Sequence, residues 1–222
     1  KPHHFMLTFI LTYLENQGLF DRIDIETENW NSQNISTKKK TKNIDEVKVD
    51  IADFICPSAE NRPSTFTTDY YTIVNIPSYG ALGYCTLVET TGLAKSKRST
   101  ERLLGLLQDT PTSLKKCTDG LSKTFMFFES AGRPNNYGRN RAPILSATNV
   151  VNGVMDRDYQ WADDGVYGVW GNAQDPNCPL TTVMNCNNYQ GLYSFHTNGG
   201  NELFGDGSVS FVNDFVNLAA II

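Results

Sequence analysis

Apolar and polar positions recur along the chain on different periods, and each period predicts an element. Between Phe5 and Phe20 the apolar side chains Phe5, Phe9, Ile10, Tyr13, Leu14 and Phe20 fall near helical spacing. They predict an amino-terminal helix ending near Gly18, with a buried strand over Phe5–Leu11 as the alternative. Residues 27–43 are rich in Lys, Asn, Ser and Thr without any period, and predict a long surface loop. Ile44–Ile55 fits both templates. Ile44, Val47, Ile51 and Phe54 match a helix, while Val47, Val49 and Ile51 match a strand, and Pro57 ends either one. Thr65–Val74 and Lys123–Glu129 predict strands from their β-branched and aromatic content. Ser99 to Glu101 offers a start for a short helix over Arg102–Gln108.

The carboxy-terminal third reads differently. From Ala131 to Gln190, Gly, Asn, Asp and Pro are dense and Trp161, Tyr167 and Trp170 are scattered among them. That pattern predicts long excursions pinned by aromatics onto a sheet. Tyr193–Phe195 is a further strand candidate. Asn201–Gly205 and Ser208–Val212 predict a hairpin around Asp206-Gly207, a favoured type I′ dipeptide. Val209 and Phe211 alternate with Ser208 and Ser210, which predicts one buried and one wet face. No internal repeat or composition break divides the chain, so residues 1–222 read as one domain. The expected class is α+β: an amino-terminal helix packed on an antiparallel sheet, with long loop excursions.

Composition narrows the function classes. Charged residues make up 19% of the 222, and the net charge is −5. A nucleic-acid groove needs clustered Lys and Arg, so this balance argues against one. The one basic run, Lys38 to Lys40 with Lys42, reads as a solvated loop. Phe5–Leu14, the most apolar run, is broken by Thr8 and Thr12 and is too short to cross a bilayer. The chain opens at Lys1 without Met, as if a segment preceded it. Its five cysteines form no CxxC pair. Cys178 and Cys186, separated by a Pro/Asn-rich loop, are expected to form a disulfide.

The hairpin residues also carry a signature. His196 is followed by nine residues and then Asp206-Gly207. This resembles the His-x9-Asp-Gly carboxy-terminal domain of bacterial prepilin-type, pseudopilin-like proteins of unknown function. The stretch from Tyr193 to Phe211 follows the family pattern, with Thr197 in place of Pro and Gly205 in place of Ala. Further blocks agree in order. Tyr13 to Glu15 resembles the early Tyr-Leu-Glu segment, with Thr12 in place of Pro; Cys56 to Ser58 matches Cys-Pro-Ser; and Asp119, Gly120, Ser122 and Thr124 match the Asp-Gly block, with Lys123 in place of Asn. Glu129 and Gly132 to Pro134 follow that block. The resemblance implies a pilin-like head, an upstream hydrophobic helix as the only membrane attachment, and an extracellular or cell-envelope location. The partners it implies are other pilin-like subunits or envelope proteins. It implies no reaction.

Site candidates remain modest. His196 is the only histidine beyond the first four residues, and the expected role is structural: a ring N–H holding the strand end or the Thr197–Gly200 loop. An extended Asn201–Gly205 would set His196 and Asp206 about 17 Å apart, too far for one two-residue site. A Cys56–His196 thiol–imidazole pair would need a tertiary coincidence. Asp119, Glu129 and Asp206, with Asp163, Asp164 and Asp175, offer oxygens for a calcium ion, though Asp-Gly pairs also form turns without one. Trp161, Trp170, Tyr167, Tyr189 and Tyr193 would line a glycan groove or simply cover the sheet. No GxSxG, HExxH, P-loop or dinucleotide glycine pattern occurs, so no cofactor and no enzymatic activity are expected. The expected function is structural or assembly; an extracellular binding module and, last, a secreted hydrolase are the alternatives.

Overall fold

The amino-terminal segment coils in two short pieces in the computed structural model, which describes residues 2–60, 62, 66–72, 75–76, 103–104, 106–107, 113–147, 150–155, 159–163, 184–189 and 191–216. Helix α1 spans Met6–Ile10 and runs into a 3-10 turn over Leu11–Tyr13. Leu7 and Leu11, one helical turn apart, are buried. Glu15 then takes a left-handed φ of 58° and breaks the helix. A second turn, α2, covers Gln17–Phe20, so Gly18 lies inside a helix and not at its end. The ambiguous Ile44–Ile55 segment is neither a long helix nor a strand. It holds α3 over Asn43–Glu46 and a 3-10 turn over Ala52–Phe54.

The strands are β1 (Tyr70–Thr72), β2 (Asn75–Ile76), β3 (Leu103–Leu104), β4 (Phe125–Glu129), β5 (Ser146–Ala147), β6 (Val150–Val151), β7 (Val154–Met155), β8 (Gly199–Phe204) and β9 (Val209–Asn213). The main sheet is antiparallel, with the order β1-β4-β8-β9. Strands β2 and β3 pair by themselves, and β5, β6 and β7 form a small meander. Leu103 and Leu104 are therefore extended, contrary to the helix expected over Arg102–Gln108. Tyr193–Phe195 contributes an isolated parallel bridge, Ser130 to Tyr193, in place of a strand. The α+β class holds: Leu7 of α1 and Leu11 of the 3-10 turn share one core with Phe127 of β4, Ile23, Phe54 and Trp161.

Two turns differ from expectation. Between Phe204 and Ser208 the β8–β9 loop has three residues, closed by Phe204 N donating to Ser208 O at 2.8 Å and Gly207 N to Phe204 O at 3.0 Å. Gly207 has φ 87° and Asp206 is not left-handed, so this is not a type I′ turn but the longer loop that places one glycine in the left-handed region. The type I′ geometry occurs at Asn152-Gly153, where φ is 52° and 79°, between β6 and β7. Val209 and Phe211 are exposed, so β9 does not bury the apolar face predicted for it.

Polar side chains pin much of the 131–189 stretch. Asn188 accepts from Tyr137 N and donates to the carbonyls of Ala131 and Asn135, all within 2.9 Å. The Arg133 guanidinium stacks 4.0 Å over the Tyr71 ring and donates from Nε to Asn188 O. Trp161 is fully buried and its indole donates to Val49 O at 2.8 Å. It covers the core, as do Tyr189 and Tyr193. Tyr167 and Trp170 lie outside the described residues.

Candidate functional site

Three chain segments meet beside the end of β4. The first is the Cys-Pro-Ser block, which forms a turn closed by Ala59 N donating to Cys56 O at 3.0 Å. Asp69 fixes it: one carboxylate oxygen accepts from Cys56 N at 2.8 Å. The other accepts from Gly132 N at 3.0 Å and from Arg62 at 2.7 Å, in a buried ion pair. The second segment is Glu129, the last residue of β4, buried to 1% exposure. The third is the run from Ser194 to His196 before β8, where His196 N donates to Ser194 Oγ at 3.0 Å. Tyr137, Tyr193 and Phe195 wall the site with Cys56 and Ala131.

The imidazole of His196 sits where the three converge. Its Nδ1 lies 3.1 Å from Ser58 Oγ. Its Nε2 lies 3.6 Å from Cys56 Sγ and 3.9 Å from Glu129 Oε2. The expected bond from the ring to a backbone carbonyl is thus replaced by contacts to a hydroxyl, a thiol and a carboxylate. One atom each from Cys56, Glu129 and His196 falls within 4.8 Å of the others. The tertiary coincidence set aside on sequence grounds is present.

The electrostatics of the site are unusual. Burial, and then the neighbouring Glu129 carboxylate, push the Cys56 thiol up to about 12. Burial also raises Glu129 above the usual carboxylate range, against the pull of Cys56, Ser194 and His196. Glu202 of β8 lies behind it, fully buried, with its carboxylate accepting from Glu129 N at 3.3 Å. Burial, and then the charge of Glu129, hold Glu202 well above its ordinary value. No donor meets either Glu129 oxygen, or Oε1 of Glu202, in good hydrogen-bond geometry. Among the described residues no Lys or Arg pairs with either acid. Gly200 leaves the room for this: a Cβ there would stand 3.3 Å from Glu129 Oε2 and 3.4 Å from Glu202 Oε1.

The calcium set does not gather. Asp119 and Asp206 lie on exposed turns, while Glu129 is buried in the sheet. The Asp206 carboxylate accepts from Ser208 N and Oγ, which keeps its pKa low and closes its own turn. Gly120 has φ 92° and, like Gly207, serves a turn. Asp164 and Asp175 lie outside the described residues. Of the expected disulfide, Cys186 is disulfide-bonded and Cys178 lies outside the described residues. Cys56 and Cys117 are free thiols. The sequence reading missed Glu202, Asp69 and Ser194. An acid closing the apolar run Phe125–Phe128 was the one visible signal for Glu129.

A groove of about 600 Å³ adjoins the cluster, lined by Arg139, Arg141, Tyr193, His196, Asp214 and Phe215 among others. Among the described residues no helix is long and apolar enough to cross a membrane. No curated protein and no solved structure matches the chain. One family model does, over residues 2–219, and it spans all three segments of the cluster. The chain therefore belongs to the bacterial family described as protein of unknown function DUF1559.

Proposed function

We propose that the chain is a non-enzymatic structural or assembly subunit of the bacterial cell envelope, resembling a pseudopilin head, with other pilin-like subunits or envelope proteins as partners. The outer strand β9 carries this reading. It pairs with β8 on one side and, among the described residues, ends the main sheet on the other. Val209 is 63% exposed, Phe211 52% and the adjoining Phe215 88%. An open sheet edge offers unpaired N–H and C=O groups, and apolar side chains beside it favour contact with another chain. The disulfide at Cys186 fits an oxidising location outside the cytoplasm. The Cys56 thiol, pushed up to about 12, stays protonated at neutral pH, and a thiol nucleophile acts as thiolate.

Sedimentation of the wild-type chain and of a Val209→Lys/Phe211→Lys variant tests the reading. Concentration-dependent self-association, lost in the variant with little change in melting temperature, is the expected result. Turnover on peptide, ester, phosphate and glycoside panels should be nil. A chain that stays monomeric and cross-links through position 211 to no envelope protein would remove the assembly reading. The groove beside His196 favours the second reading, an extracellular binding module, which predicts ligand uptake insensitive to the β9 substitutions.

A further inference from the structure

The geometry points to a zinc site formed by Cys56, Glu129 and His196, with the fourth coordination position open to solvent. The inference stands apart from the assembly reading. Zinc takes thiolate, imidazole and carboxylate ligands at about 2.3, 2.0–2.1 and 2.0–2.2 Å in a tetrahedron, which sets sulfur about 3.6 Å and carboxylate oxygen about 3.4 Å from the imidazole nitrogen. The protein holds these separations at 3.6 and 3.9 Å. The third side, sulfur to carboxylate oxygen, lies within 4.8 Å against about 3.6 Å in the tetrahedron, so an inward movement of the carboxylate by up to about an ångström would complete the triangle.

Three further observations favour an ion over a chance contact. First, Glu129 is buried to 1% exposure and aims Oε2 at the His196 ring, yet no donor meets either of its oxygens in good hydrogen-bond geometry. A buried acceptor without a donor is costly unless something positive arrives. Second, the ring is oriented as metal-bound histidines are. With a proton on Nδ1 donating to Ser58 Oγ at 3.1 Å, the Nε2 lone pair faces Cys56 and Glu129. Third, Glu202 adds a second buried acid against Glu129, and among the described residues no Lys or Arg answers the pair. A divalent cation would offset the Cys56 thiolate and the Glu129 carboxylate, two charges for two, with Glu202 staying protonated behind them. The thiol proton leaves to solvent as the metal binds.

The donor set selects the metal. Sulfur with nitrogen and one carboxylate suits zinc, whereas calcium takes six to eight oxygens. The His196 side chain is 28% exposed and lines the groove, so a water would complete the sphere from that side. Bound there, zinc would tie the Cys-Pro-Ser turn, the end of β4 and the entry to β8 together.

The test is cobalt and zinc binding by the full chain after chelator treatment. One equivalent of zinc per chain is expected, and Co2+ loading should give a thiolate-to-cobalt charge-transfer band with tetrahedral d–d bands. Cys117→Ser should leave both unchanged, because Cys117 bonds Thr124 elsewhere. Cys56→Ser and His196→Gln should each weaken zinc binding at least 100-fold, and Ser58→Ala about tenfold. A folded wild-type chain whose cobalt complex lacks the thiolate band overturns the site. So does zinc uptake no tighter than that of His196→Gln. If Cys56→Ser does not fold, the wild-type cobalt spectrum and the His196→Gln titration decide.

Discussion

Asp24 and Glu129 are both closed off from solvent, and the protein treats them in opposite ways. Asp24 sits in the loop between α2 and α3 and is surrounded by donors. Its oxygens accept from Glu26 N and Thr27 N at 3.0 Å, from Thr27 Oγ1 at 2.5 Å and from Ser36 Oγ. Burial alone would raise its pKa, but these bonds outweigh it and hold the carboxyl far below the usual range. Asn43 completes the knot by accepting from Asp24 N and donating to the carbonyls of Asp24, Glu28 and Asn29. At Glu129 burial outweighs the pull of Cys56, Ser194, His196 and Asn201 N, and the carboxyl shifts upward. Nearby Asp69 shows that this half of the molecule has the means to answer an acid, because Arg62 and two backbone amides saturate it. A buried carboxylate that organises a loop is thus recognisable by its filled oxygens. Glu129, poorly answered beside a thiol and an imidazole, does not fit that pattern.

The contrast can be tested by substitution. Asp69→Ala should have the largest effect. It strands the buried Arg62 charge and two amides, and should cost about 3–5 kcal/mol in urea unfolding. Asp24→Ala should cost about 2–3 kcal/mol, because several charge-assisted bonds are lost together. The same residue sets a pH limit. A depressed carboxyl contributes stability in full above its unfolded pKa of about 3.9 and loses it as pH falls toward the folded value. Wild-type melting temperature should therefore fall below about pH 4 more steeply than that of Asp24→Asn. Glu202→Gln should act with the opposite sign, raising the stability of the metal-free chain at neutral pH by about 1–2 kcal/mol, because a neutral amide removes the cost of keeping a buried acid protonated. A destabilised Glu202→Gln would mean that the two buried acids are not in conflict. Gly207→Val touches neither centre and should cost only about 1 kcal/mol, through φ 87° alone.

Local patterns in the sequence were readable where the physics is local. Phe125–Glu129 and the β8–β9 hairpin follow from side-chain type and turn residues, and both form. The turn class was misplaced. Asn152-Gly153, with the stronger dipeptide for type I′, was passed over in favour of Asp206-Gly207. The helix end failed because Glu15, not Gly18, takes the left-handed conformation. The site was legible only in fragments. Cys56, Glu129 and His196 each fell within a recognisable block, but 140 positions separate the cysteine from the histidine. No period or spacing encodes a contact of that range. Glu202 was harder still: beside Leu203 in a strand it reads as the wet position, yet it is the fully buried one of the two.

Gly199 carries a consequence for inheritance. A Cβ at this position would lie 2.1 Å from Val212 O, against the backbone of β9. Every amino acid other than glycine brings that atom, so no missense change in the codon is silent for the β8–β9 ladder. Position 199 can drift only among synonymous codons. A lineage that loses this glycine must also give up the close pairing of β9, and with it the edge that the sheet presents to the outside.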